Sequence, residues 1–144
     1  MIYLNQNNSN EVITTLYEGC TNVTNPYFYW RLIDKNTFDV IKFTSDDHSN
    51  NPYYYNAFTV SVFSLSGTAT PYGLTNGTIY ANAGTYDYTV FEITNPYDYS
   101  TSNTVGVAEV GILKINGTYS QYVINTGNDN STIVVNKNLN YYDQ

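Results

Sequence analysis

The chain is poor in several residue types, and each shortage excludes something. Its 144 residues include one cysteine, one histidine and five Lys or Arg in all. A single cysteine rules out an internal disulfide, and one Cys with one His cannot supply the several ligands of a zinc site. Five cations against twelve acids leave a net charge of -7. Nucleic-acid binding relies on clustered cations that displace counterions from phosphate, so no nucleic-acid partner is expected. No run approaches the roughly 20 apolar residues of a membrane-spanning helix, so no membrane partner is expected either. The opening MIYLNQNNSNEV has neither the basic start nor the apolar stretch of a secretory signal. Synthesis in the cytoplasm without a leader is the expectation. Alanine, leucine, lysine and glutamate, the usual helix formers, are scarce.

What stands in their place is polar without charge and rich in rings. About a third of the chain is Asn, Ser or Thr, and there are 17 tyrosines. Thr, Tyr, Val, Ile and Phe favour pleated, half-buried surfaces. Low charge with many aromatics argues against disorder, because such side chains bury area. The length suits one domain, which would bury roughly two thirds of its unfolded surface.

Period-2 alternation recurs along the chain. EVITTLY (11–17) sets Val12, Thr14 and Leu16 on one face. YFYWRLI (27–33) is apolar on both faces except at Arg31, as in a central strand, which places Trp30 in the core. A KNT turn leads into FDVIKF (38–43), where Phe38, Val40 and Lys42 oppose Asp39, Ile41 and Phe43. This pair reads as a hairpin. YNAFTVSVFSL sets Phe58, Val60 and Val62 against Thr59, Ser61 and Phe63, and TYDYTVFEI (85–93) sets Tyr86, Tyr88 and Val90 against Asp87, Thr89 and Phe91. TVGVAEVGILKI (104–115) is a long strand in which Gly106 or Gly111 would mark a bulge. Asn116–Thr118 reads as a hairpin turn into YSQYVI, and TIVV closes the domain. TSDDHSNNP and SGTATPYGLTNGT read as loops. The sum is an all-β sandwich of about eight or nine short antiparallel strands over residues 1–135, with no long helix. Residues 136–144 read as a C-terminal tail or a partner-docking strand.

All four prolines precede a tyrosine, and three of them follow an asparagine. Proline holds the preceding residue extended, and asparagine starts turns, so Asn-Pro-Tyr reads as a device for turning into strands. The tyrosine excess is less easily absorbed. Tyr53, Tyr54 and Tyr55 cannot all face one core, since neighbours on a strand alternate sides. Tyrosine suits interfaces, with a large apolar body and a polar tip. The same holds for Tyr97 and Tyr99 and for Tyr141 and Tyr142. These seven are the candidate partner-contact residues.

Catalytic candidates are thin. Cys20 has no His or Lys nearby in sequence to lower its pKa, and reads as a small, partly buried residue. His48 follows Asp46 and Asp47 in a polar loop, without the G-x-S-x-G of a nucleophile elbow. Glu92 and Glu109 qualify as paired carboxylates only because both lie in strands. SDDHSNN and GNDNST offer oxygens to calcium without the spacing of an EF-hand loop. No enzyme activity, metal or cofactor is expected. The sequons at Asn22, Asn76 and Asn116 are what chance provides in a chain this rich in Asn and Thr.

The ordered set MIYLNQNNSNEVITTLYE, YFYWRLID, YNAFTVSV, AGTYDYTVFE and VGVAEVGILKINGTYSQY resembles a group of small virion proteins from tailed bacteriophages, including crAss-like and marine phages. The likeness rests on Y-x-Y-x-V-[YF]-E at Tyr86, Tyr88, Val90, Phe91 and Glu92, and on G-x-x-E-x-G-x-[LI] at Gly106, Glu109, Gly111 and Leu113. The resemblance implies an immunoglobulin-like sandwich serving as a virion part, with an auxiliary or decoration protein on the capsid surface as the leading expectation. Its partners would be the major capsid protein or other virion proteins, with a homo-oligomer open. A tail or fibre position, or a module that adheres to host-surface glycans, are the alternatives. Exposure of Trp30 would favour the glycan alternative.

Overall fold

The alternating apolar positions decide the layers. The computed structural model describes residues 1–21, 26–65, 76–96, 98 and 100–117. Eight strands run through them: β1 (Ile2–Asn5), β2 (Asn8–Thr14), β3 (Tyr27–Asp34), β4 (Val40–Thr44), β5 (Asn56–Phe63), β6 (Thr78–Tyr80), β7 (Gly84–Ile93) and β8 (Thr104–Asn116). Helical structure among the described residues is limited to two short 3-10 turns, Leu16–Gly19 and Thr101–Asn103. The strands form a five-stranded sheet, β1-β8-β7-β3-β4, packed against a three-stranded one, β2-β5-β6. The protein is an all-β sandwich.

Between the layers lie the residues that alternation selects. Val12, Phe58, Val60 and Val62 come from the smaller sheet, and Trp30, Leu32, Tyr86, Tyr88 and Val90 from the larger one. Trp30 is the hub. Its indole stacks on Phe43 at 5.7 Å, meets Phe58 edge-on at 5.5 Å and lies tilted on Tyr88 at 5.8 Å. Each such pair adds about 0.5–1.5 kcal/mol beyond the area it buries. At 1% exposure Trp30 sits in the core, as expected of a mid-strand indole. The other face of β3 is apolar too, with Tyr29 stacked on Phe91 at 5.6 Å. Hence the run YFYWRLI shows no clean alternation.

Several details differ from the sequence expectations. Two strand pairs are parallel, β1 with β8 and β5 with β6. A parallel pair needs a long crossover, and the stretch 64–77 is long enough for one between β5 and β6. Strand β6 has no counterpart in the sequence reading, where Thr78 ends a loop and Ile79 and Tyr80 are assigned to nothing, because three residues carry no period. Phe38 leaves the strand pattern: it sits in the β3–β4 turn at φ 63°, exposed, where the backbone is left-handed. Asp34 holds that turn, its carboxylate accepting the amides of Asn36 and Thr37 at 2.7 and 3.2 Å. The irregularities of β8 fall at Val105 and Ala108, which have no partner in the β7 register, rather than at the glycines. Gly111 has another role. A Cβ there would lie 2.7–2.8 Å from the Tyr88 ring, so the glycine makes room for that tyrosine. The hairpin residue Thr118, the segments YSQYVI and TIVV and the tail 136–144 lie outside the described residues.

Both sides of the sandwich are stitched. Thr44 and Asn76 form an isolated bridge between β4 and the start of β6. On the other side the Asn10 side chain bonds both the amide and the carbonyl of Asn5, at 2.8 and 3.1 Å, as the strands swap sheets.

Candidate functional site

The chain between β4 and β5 carries the longest tyrosine run, and a buried polar knot decides its shape. Asn56, the first residue of β5, is fully buried. Its amide nitrogen donates to Asp47 Oδ2 at 2.7 Å, while its oxygen accepts the Leu16 amide at 2.9 Å. The other Asp47 oxygen accepts the amides of Ser49 and Ala57 at 2.9 and 3.0 Å. Burial pushes the Asp47 carboxyl up, but these hydrogen bonds outweigh it and leave the group below the usual carboxylate range. Both ends of the loop are thereby fastened to β5 and to the turn after β2.

The tip is an Asn-Pro turn. The Asn51 carbonyl accepts the amides of Tyr54 and Tyr55 at 3.0 and 3.2 Å, with Pro52 as the first central residue. Such a turn throws the residues after proline outward. Tyr53 is 70% exposed and Tyr54 77%, while Tyr55 is half-buried. Tyr53 is not adrift: its ring meets Tyr17 edge-on at 5.4 Å, Tyr17 meets Phe28 at 6.5 Å, and Phe28 meets Phe58 at 5.9 Å. A relay of rings thus runs from the surface to the core. Burial, then the neighbouring Tyr53 and Asp47, push the Tyr17 phenol up. Beside the loop, Ile13 points outward from β2 at 62% exposure, and His48 lies 3.7 Å from Glu11. Both partners of that pair are exposed, so it contributes little.

The second Asn-Pro loop repeats the device. Asp98 donates its amide to the Asn95 carbonyl at 3.2 Å across Pro96. The buried Asn103 clamps the loop, accepting the Asn95 amide at 3.1 Å and donating to the Asn95 carbonyl at 2.8 Å. Tyr97 and Tyr99, together with Tyr141 and Tyr142, lie outside the described residues. Pro26 differs in standing directly before β3.

The residues weighed for chemistry are spread over several surroundings. Cys20 is half-buried and donates to the Leu16 carbonyl at 3.2 Å. Burial, with Glu92 nearby, pushes its thiol up to about 11, the opposite of an activated nucleophile. Glu92 is buried and accepts the Thr21 amide at 2.7 Å. Glu109 accepts the Tyr88 hydroxyl, and burial followed by this bond raises the Tyr88 pKa. Among the described residues no three His, Cys, Asp or Glu side chains are grouped to hold a metal, and no helix is long and apolar enough to cross a membrane.

The expectation that at least one of Tyr53, Tyr54 and Tyr55 is exposed matches Tyr53 and Tyr54, but the sequence did not show what fixes their loop. The Asp47–Asn56 and Asn103 clamps leave no local signal, because Asn is everywhere in this chain and only burial sets Asn56 and Asn103, with Asn10, apart among the described asparagines. Compared with known proteins, the chain matches no family model, no curated protein and no solved structure.

Proposed function

We propose that the chain is a non-enzymatic structural component of a tailed-phage virion, bound to the capsid surface as an auxiliary protein. The observation that carries this reading is the braced loop with Tyr53 and Tyr54 in solvent. A folded chain gains only the Tyr17–Tyr53 edge contact from fixing two exposed aromatics on a clamped turn, whereas a partner gains large, low-entropy contact area. The phage-virion likeness of the strand motifs supplies the setting. An immunoglobulin-like sandwich is the finer fold reading. It is supported by the order β1-β8-β7-β3-β4 facing β2-β5-β6, with the parallel β5–β6 pair as a departure. Burial of Trp30 takes the indole away from sugar stacking, so the glycan alternative loses the feature that would have favoured it.

The test is loading into particles of the phage that encodes the chain. Quantitative mass spectrometry of purified virions should count the protein in many copies. A Tyr53→Ser, Tyr54→Ser variant should load at least several-fold less while staying folded, its melting temperature lower by no more than the few degrees that the lost Tyr17–Tyr53 ring contact accounts for. Absence of the wild-type chain from particles, or full loading of the variant, would refute the assignment.

A further inference from the structure

The outer face of the five-stranded sheet is the second unusual surface of the molecule. Cross-strand register lays it out in rows. One row runs Lys42, Arg31, Thr89, Val110 across β4, β3, β7 and β8. The row on one side ends in Phe91 and Val107, and on the other in Asp87 and Ile112. Val105, Val107, Val110 and Ile112 are all exposed, Val110 at 66%. One strand thus presents an unbroken apolar stripe to solvent, a pattern that marks interaction sites.

Charge on this face is lopsided. Arg31, Lys35, Lys42 and Lys114 are four of the chain's five Lys and Arg, and all four lie on this sheet or its β3–β4 turn. Lys35 pairs with Asp87 at 2.8 Å. Arg31 and Lys42 stand directly opposite each other, and among the described residues neither has a carboxylate within ion-pair reach. Like charges at opposed positions of a sheet destabilise it. The Arg31 guanidinium lies 5.1 Å over the Phe91 ring, and its buried Nε has no hydrogen-bond partner. Asp87, already paired with Lys35, is the one carboxylate in these rows, so the face offers Arg31 and Lys42 none, with apolar area next to the place where one would sit.

The tyrosine loop offers the complement. Tyr53, Tyr54 and Ile13 supply exposed apolar area, flanked by the exposed acids Glu11 and Glu18. We infer that copies of this chain associate head-to-tail, the Tyr53–Tyr54 surface of one docking on the apolar and cationic sheet face of the next. A two-fold symmetric contact of the sheet face with itself would oppose the Arg31–Lys42 pairs, so the heterologous arrangement is the one that the charges favour. This rests on the proposed function only in taking the tyrosine loop as a contact surface.

Sedimentation of the full chain tests it without any virion component. At low salt the weight-average mass should rise above the 16.3 kDa of one chain with increasing concentration. Raising the salt to about 0.5 M should weaken association several-fold, because the pairing charges are screened. A sheet-face variant, Lys42→Glu with Val110→Asp, and a loop variant, Tyr53→Ser with Tyr54→Ser, should each be monomeric alone. Mixed, they should form a complex of two chains and nothing larger, since each retains the surface that the other has lost. A chain that stays monomeric near 1 mM, where even weak contacts of millimolar Kd populate, overturns the inference. So does a mixture of the two variants that fails to associate. Should the double sheet-face variant misfold, Lys42→Glu alone sits at an exposed position and should weaken association about tenfold. An unchanged affinity there counts against the inference equally. Failure of self-association leaves capsid loading by the loop standing, and failure of loading leaves self-association standing.

Discussion

Replacing Asp47 by asparagine changes no volume and should still cost stability, because of which atoms donate. Asp47 accepts three hydrogen bonds, two from backbone amides on Oδ1 and one from the Asn56 side chain on Oδ2. An asparagine at 47 must put its amino group on one side or the other. On the Oδ1 side it would meet two amide donors, and on the Oδ2 side the Asn56 amino group. Flipping Asn56 does not help, since its amino group would then face the Leu16 amide now held at 2.9 Å. Every arrangement leaves at least one donor facing a donor, and Asn56 is fully buried, so water cannot relieve that side. A buried donor left unsatisfied costs about 1–3 kcal/mol, and loss of a charged acceptor is of similar size. Asp47 is itself only half-buried, which holds the expected loss for Asp47→Asn to about 1.5–3 kcal/mol.

Urea denaturation at pH 7 measures that loss directly, and Asp47→Ala should fall in the same range despite its smaller side chain. The pH dependence supplies a second reading. The folded-state pKa of Asp47 is lowered, so its contribution is present above the unfolded carboxylate pKa of about 3.9 and fades as the pH falls toward the folded value. The gap between wild type and Asp47→Asn should therefore narrow on acidification. A variant within about 0.5 kcal/mol of wild type at pH 7 would refute the donor-conflict reasoning, since that is the scatter of ordinary surface substitutions. A gap unchanged down to acid pH would refute the charge assignment.

Two further substitutions and one reagent test other parts of the fold. Gly111→Ala should cost about 1–3 kcal/mol, because the added methyl meets a Tyr88 ring held by Trp30 and Glu109. At Gly84 a Cβ meets nothing nearer than 3.7 Å, so Gly84→Ala should leave the melting temperature within a few degrees of wild type, and equal shifts at the two sites would contradict this. Cys20, with its thiol pushed up to about 11, should react with a disulfide reagent at pH 8 on the order of 100-fold more slowly than in the unfolded chain. Its raised pKa also means that the stabilisation is complete below the unfolded thiol pKa and is lost as pH rises toward about 11. Equal labelling rates in folded and unfolded protein would show that the thiol is open to solvent.

The sequence by itself determined the layers. Alternation at 58–62 and 86–90 named the core-facing positions of β5 and β7, and the double-sided apolar run at 27–33 named an interior strand with Trp30 inside. Those readings succeed because a strand has a period of two and water enforces it at every step. The three adjacent tyrosines at 53–55 announced surface exposure, but a turn on the Asn51 carbonyl, and not strand alternation, is what puts Tyr53 and Tyr54 in solvent. Tertiary structure alone decided the rest. Parallel pairing of β1 with β8 joins residues from opposite ends of the described chain, and no local pattern encodes it. The bulges of β8 fall at Val105 and Ala108 because register is a property of two strands together, so the glycines of one strand could not locate them. The clamps at Asn56 and Asn103 matter because they are dry, and dryness belongs to the packed whole. So does the gathering of four cations on one sheet face: along the chain they stand at 31, 35, 42 and 114, and only the fold brings them to one side.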